Sequence, residues 1–214
     1  MSNSTTAAAV LLAALAPAAI AQNATVNLTH DDADGTILVG ETVTWSLVIE
    51  YEQLGEQDIV SGLNAALTAS DAGLAAASDF AFRLNESALT DPIVTATADG
   101  IGGFEQIGFI NSLLLDFDSF LFTADRRNPL PVGSFQTTAL SVGQLTYGFS
   151  FSTLDSGGAA SNTFMTHDQS AFNSYLDVPI ENITFNIDTL TIVPAPASAL
   201  LLAPAALLAS RRRQ

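Results

Sequence analysis

Cysteine is absent, which excludes disulfide staples, thiol catalysis and thiolate metal sites, so a folded body must be held by packing, with or without a bound metal. Lysine is absent as well. The basic side chains are all arginine, six of them against 22 Asp and Glu, and charged residues of every kind make up only 13% of the chain. That scarcity argues against long, salt-bridged surface helices, while abundant Ala, Thr, Ser, Gly, Leu and Phe argue for strands and turns. Arg211, Arg212 and Arg213 sit at the extreme C-terminus, so Arg83, Arg126 and Arg127 are the only basic residues in the body. Set against all 22 carboxylates, they leave it a formal charge of −19. Such a surface repels phosphate backbones, which excludes nucleic acid as a partner and favours cations. A saline habitat or plain solubility explains the same excess.

Both ends are greasy. Residues Ala7 to Ala19 are almost wholly apolar, and Ala19-Ile20-Ala21 before Gln22 fits the small-x-small site cut by signal peptidase, which predicts a signal peptide over 1–21 and a mature start at Gln22. Met1 to Thr6 carry no lysine or arginine, so the α-amino group is the only positive charge of the n-region. At the other end, Val193-Pro194-Ala195-Pro196 precedes an uncharged run, Ala197 to Ala209, and then the Arg211–Arg213 cluster. At about 1.5 Å per residue the run reaches roughly 20 Å, short of a hydrocarbon core of about 30 Å. Pro194, Pro196 and Pro204 interrupt helical hydrogen bonding, which suits a segment held in the membrane for processing, with the arginines on the cytoplasmic side.

Proline-bounded motif, apolar stretch and arginine cluster in that order resemble the PEP-CTERM sorting signal of Gram-negative bacteria. Ala195 stands between the two prolines, as in the Pro-Ala-Pro variants of that family. The resemblance covers residues 193–214 and implies an exosortase-type processing enzyme as partner, transient insertion of the tail in the inner membrane, and a link to exopolysaccharide and biofilm.

The body, residues 22–192, is of a size that one domain fills with a real core. Period-two alternation is clearest from Thr42 to Tyr51, where Val43, Trp45, Leu47, Ile49 and Tyr51 share one face. Similar alternation marks Thr25–Thr29, Gly62–Ser70, Phe80–Leu84, Ile93–Ala98, Leu145–Phe151 and Ile183–Ile192. Residues 103–123 read as strands. Turns are signalled by Asp34-Gly35, Asp99-Gly100, Gly102-Gly103, Pro129-Leu130-Pro131 and Asp155-Ser156-Gly157-Gly158, and residues 159–173 read as a long loop with a helical turn near Asp168. These elements predict an all-β fold, an antiparallel β-sandwich of immunoglobulin-like or jelly-roll type, with a hydrophobic helix at each terminus.

The best candidate for chemistry is the loop from His30 to Glu41. Aligned on Gly35, it resembles a twelve-residue EF-hand calcium loop, with Asp32 and Asp34 as side-chain ligands, Thr36 offering its carbonyl, and Glu41 as the closing carboxylate. His30 stands where that loop has an aspartate, and the flanks read as strands, so a polar β-turn in which Asp34-Gly35 satisfies its own backbone is the competing reading. Asp116, Asp118 and Asp125 form a second acidic set, more simply a solvated face. His167-Asp168 near Ser170 lacks the nucleophile elbow of a hydrolase, and Asp99 to Gly103 lacks the context of a nucleotide fingerprint. Trp45, Tyr51 and Tyr147 alternate with core residues, which leaves Tyr175 as the aromatic free to stack on a sugar. Asn-x-Ser/Thr sequons begin at Asn23, Asn27, Asn85 and Asn182, and carry no weight in a bacterium. The sequence thus predicts an exported, non-catalytic surface or matrix protein. The alternative is a secreted carbohydrate-binding module or glycan-active enzyme.

Overall fold

The computed structural model describes residues 23–52, 59–84, 93–111, 114–115, 122–123, 125–151, 154–155, 160–161, 164–168 and 174–196. In chain order the strands are β1 (Ala24–His30), β2 (Thr36–Leu38), β3 (Thr42–Tyr51), β4 (Ile59–Ala69), β5 (Ala75–Ala77), β6 (Ala81–Phe82), β7 (Ile93–Ala98), β8 (Phe104–Ile110), β9 (Leu114–Leu115) and β10 (Phe122–Thr123). They continue as β11 (Leu130–Ala139), β12 (Gly143–Leu145), β13 (Tyr147–Phe151), β14 (Leu154–Asp155), β15 (Ala160–Ser161), β16 (Phe164–Asp168), β17 (Ser174–Asp177), β18 (Ile183–Ile187) and β19 (Leu190–Val193). The fold is all-β. A single 3₁₀ turn, Ile180–Asn182, is the helical element among the described residues. None of them forms a helix long and apolar enough to cross a membrane. The helices expected at Ala7–Ala19 and Ala197–Ala209 lie outside them.

Two six-stranded sheets face each other. One runs β18-β1-β3-β11-β5 with β6 also on β11, the other β17-β16-β4-β8-β7 with β13 also on β4, and β12-β19-β2 form a smaller sheet. The alternation of β3 places Val43, Trp45, Leu47, Ile49 and Tyr51 inward and buried, as the sequence predicts. Aromatic contacts join the two layers. Trp45 meets Tyr147 edge-on at 5.0 Å, Phe104 meets Phe135 at 5.1 Å, and Phe149 stacks on Phe185 at 5.6 Å. Each such pair adds roughly 0.5–1.5 kcal/mol beyond the area it buries. The indole N–H of Trp45 donates to Thr137 Oγ1 at 2.8 Å and the phenol of Tyr147 to the Gly102 carbonyl at 2.9 Å, so neither polar tip is wasted inside. Burial pushes the Tyr147 phenol above its ordinary pKa.

Three expectations are corrected. The sandwich is mixed rather than antiparallel, because β1 pairs with β18 and β2 with β19 in parallel, which lays the first two strands of the body beside the last two. The segment expected as a turn at Pro129–Pro131 instead opens β11, a ten-residue strand between β3 and β5. Its proline is tolerated because the register shifts between Pro131 and Gly133, a bulge that removes the need for a ladder donor. The loop expected over 159–173 contains β16, which is paired on both sides, with β4 and β17.

Candidate functional site

The turn from His30 to Glu41 closes one end of the sandwich. As β1 runs out, the His30 N–H donates to Asp188 Oδ2 at 3.2 Å, and Asp31 Oδ1 accepts the Thr44 N–H at 2.9 Å. Gly35, at φ +68°, then reverses the chain into β2. Asp32 Oδ1 and Asp34 Oδ1 both accept the Thr36 N–H, at 2.9 and 3.0 Å. That backbone donor is the main reason the Asp32 carboxyl titrates below its ordinary value. Glu41 belongs to a different turn: its Oε2 accepts the Leu38 N–H at 2.8 Å. Of the sequence-predicted ligands Asp32, Asp34, Thr36 and Glu41, the structure therefore brings the first three together around one amide and sets Glu41 on another. Strands β1 and β3 flank the loop in place of helices, and its carboxylates as placed accept backbone N–H groups of the turn. Among the described residues no group of three His, Asp or Glu side chains is placed to hold a metal ion.

The same logic governs the neighbouring turn. Asp99 Oδ1 accepts the N–H groups of Ile101 and Gly103, each at 2.8 Å, and a Cβ on Gly102 (φ +112°) would lie 2.7 Å from the Ala75 carbonyl oxygen. Asp99 to Gly103 is thus a turn, as expected, and the structure shows it closely packed.

At the opposite end a polar knot forms that the sequence gives little sign of. Asp125, 3% exposed, pairs with Arg127 at 2.6 Å and also accepts its Nε–H, and Arg127 Nη2 donates to the Arg83 carbonyl. Hydrogen bonding to Asp125 holds the guanidinium pKa above its ordinary value. Buried Asn111 donates to the carbonyls of Val60 and Asp125 and accepts the Asp125 N–H at 2.8 Å. Asn128 clasps Tyr51 through both N–H and C=O. Asp125, expected in an acidic surface set, is interior; Asp116 and Asp118 lie outside the described residues. So does Ser170. Trp45, Tyr51 and Tyr147 are core, as predicted.

No protein-family model matches this sequence, and a comparison with curated proteins returns no match. Among solved structures the chain is similar to cohesin modules. The second type II cohesin module from the cellulosomal adaptor scaffoldin of Acetivibrio cellulolyticus is 13% identical, over 83% of this chain and 99% of that one, with a TM-score of 0.47. The cohesin module of a Clostridium perfringens family 33 glycoside hydrolase is 11% identical over 82% and 98%, with a TM-score of 0.48. Type II cohesin A11 from Bacteroides cellulosolvens is 11% identical over 79% and 99%, at 0.44. At TM-scores below 0.5 the likeness carries no argument about function.

The predicted sorting residues Pro194 and Pro196 follow directly on β19. Val193 is hydrogen-bonded in the sheet through its carbonyl to the Val39 N–H, and Pro194, Ala195 and Pro196 are exposed. Ala19, Ala21, Arg211, Arg212 and Arg213 lie outside the described residues.

Proposed function

We propose that this chain is an exported, non-catalytic cell-surface or extracellular-matrix protein of a Gram-negative bacterium. A signal peptide ends at Ala21, one acidic sandwich of immunoglobulin-like or jelly-roll type spans 22–192, and the tail from Val193 is handled by an exosortase, with a link to exopolysaccharide. The observation that carries this reading is the junction at Val193: the last strand locks the chain into the sheet, and an exposed Pro-Ala-Pro emerges at once. A membrane enzyme reaches that motif without unfolding the body. The non-catalytic part rests on how the polar side chains are used, since Asp31, Asp32, Asp34, Glu41, Asp99 and Asp125 each accept a backbone N–H. Groups committed to turns are poor general acids and bases.

The test is fractionation of cells with and without an exosortase, followed by mass spectrometry of both termini. The reading expects a mature start at Gln22 outside the cytoplasm, and a C-terminus that changes when the exosortase is deleted. A full-length cytosolic chain beginning at Met1 overturns it. Binding of the chain to a defined polysaccharide on a glycan array favours the rival carbohydrate-binding module.

A further inference from the structure

Single exposed aliphatic side chains are ordinary, but several gathered on adjoining turns, where polar residues usually sit, mark a surface that meets something other than water. Among the described residues Ile101, Leu140 and Val142 are exposed, and they stand on turns that the backbone ties together. The Gly73 N–H donates to the Ile101 carbonyl at 3.4 Å, and the Leu74 carbonyl accepts the Leu140 and Ser141 N–H groups at 2.8 and 3.2 Å. Ser141 Oγ donates to the Gly73 carbonyl at 3.2 Å. Residues 73 and 74 therefore fix the three aliphatic tips relative to one another.

The tail leaves the body at the same corner. Strand β12 pairs antiparallel with β19, Gly143 opposite Ile192, so the next positions outward are Val142 and Val193. On the other side of β19, Leu38 of β2 lies opposite Val193, and the Val39 N–H donates to the Val193 carbonyl. The Gly40 N–H then donates to the carbonyl of Ala139, the neighbour of Leu140. The described chain ends at Pro196, and the apolar run begins at Ala197. From Val193 those four residues reach at most about 14 Å.

We propose that this corner is a shoulder on which the body rests against a lipid bilayer, with Leu140, Val142 and Ile101 seated in the interface beside the inserted tail. The proposal rests on the tail entering the membrane, as proposed above. The tether selects lipid as the occupant. With the run from Ala197 in the bilayer, the exit stands no farther from it than the linker reaches, and a run shorter than the hydrocarbon core draws the junction down. Side chains around the exit then meet the interface at high effective concentration, so a small apolar patch too weak to bind by itself is held there. This end also carries Asp31, Asp32, Asp34, Glu41, Asp71 and Asp99, with no arginine on its turns, which suits neutral rather than anionic lipid. The shoulder keeps Pro194-Ala195-Pro196 at the bilayer surface, the level at which a membrane-embedded enzyme works.

The test uses the exported chain, purified with its tail from cells lacking the exosortase and placed in phosphatidylcholine vesicles that contain spin-labelled lipid as a quencher. Because the chain has no cysteine, one fluorophore is attached at a time, at Val142→Cys, Ile180→Cys or Leu202→Cys. Ile180 is the matched control: it is 59% exposed against 55% for Val142, and it precedes β18, which starts beside Ala24 at the opposite end of the sandwich. Strong quenching is expected at 202, and quenching several-fold greater at 142 than at 180. Ile101→Ser with Leu140→Ser is expected to lower the signal at 142 toward that at 180, with the signal at 202 and the melting temperature unchanged. Quenching at 202 with none at 142 overturns the shoulder and leaves the inserted tail standing. No quenching at 202 overturns the inserted tail, and the shoulder with it. A label at 142 that is shielded from aqueous iodide yet untouched by the lipid quencher assigns the patch to a second copy or to the tail folded back, and overturns the shoulder as well.

Discussion

The two ends of this sandwich use the same side chain in opposite ways. At the end built from residues 31–41 and 99–103, aspartates are at or near the surface and each closes a turn by accepting backbone N–H groups. At the end built around residues 111 and 125–128, Asp125 is buried: its carboxylate pairs with the Arg127 guanidinium, and Asn111 holds its backbone N–H and C=O. Exposed, a carboxylate needs no counter-ion, because water screens it and an amide donor gives it a job. Buried, it requires a cation and full hydrogen bonding, or its desolvation outweighs everything it contributes.

That contrast is sharpest under mutation. The largest effect is expected at Arg127→Leu, which takes the guanidinium away from the buried Asp125 carboxylate and costs about 3 kcal/mol, read as a lower midpoint in urea unfolding. Arg127 is itself partly exposed, with 40% side-chain exposure, so Asp125→Ala, which frees the cation to water, costs less than its converse. Equal losses from the two changes would break the asymmetry. At the other end Asp99→Ala removes the acceptor of two amides and is expected to cost about 1–2 kcal/mol, with Asp99→Asn recovering much of it because the amide oxygen still accepts.

Smaller still is the effect of acid on the 31–41 turn. The Asp32 pKa is lowered by the Thr36 N–H, so its contribution is present above the unfolded carboxyl pKa and lost as pH falls through the lower folded value. Asp32→Asn is expected to flatten the acid limb of melting temperature against pH slightly, and an unchanged limb removes Asp32 from the account. The smallest expected effect is that of calcium. With Asp32 and Asp34 sharing one amide and Glu41 on another, calorimetry is expected to show no heat and no rise in melting temperature; saturable binding lost in Glu41→Gln would restore the EF-hand reading of this loop.

How much of this was legible beforehand depends on the kind of signal. Strand β3 was readable residue by residue, since one face touches the core and the other water. Strand β11 was not, because Pro129-Leu130-Pro131 mimics a turn, and only the bulge at Pro131, made by pairing with a distant strand, lets a proline sit there. Strand β16 was read as loop because Phe-Met-Thr-His-Asp carries no period-two alternation, and its strand form is set by pairing with β4 and β17. In the candidate site, Asp34-Gly35 was readable as a turn from local chemistry. The fate of Asp125 was not: Arg127 is only two residues away, but the burial of the pair depends on Asn111 and on the Arg83 carbonyl that Arg127 reaches, both remote along the chain.

The sequence by itself determined the strand-forming faces, the Asx turns, the acidic surface and the two apolar ends, because each depends on residues within a few positions of one another. The tertiary structure alone decided which strands lie side by side, that β1 runs parallel to β18 and β2 to β19, and which aspartate is interior. Those outcomes depend on partners far apart along the chain, whose meeting is set by packing two sheets around one core.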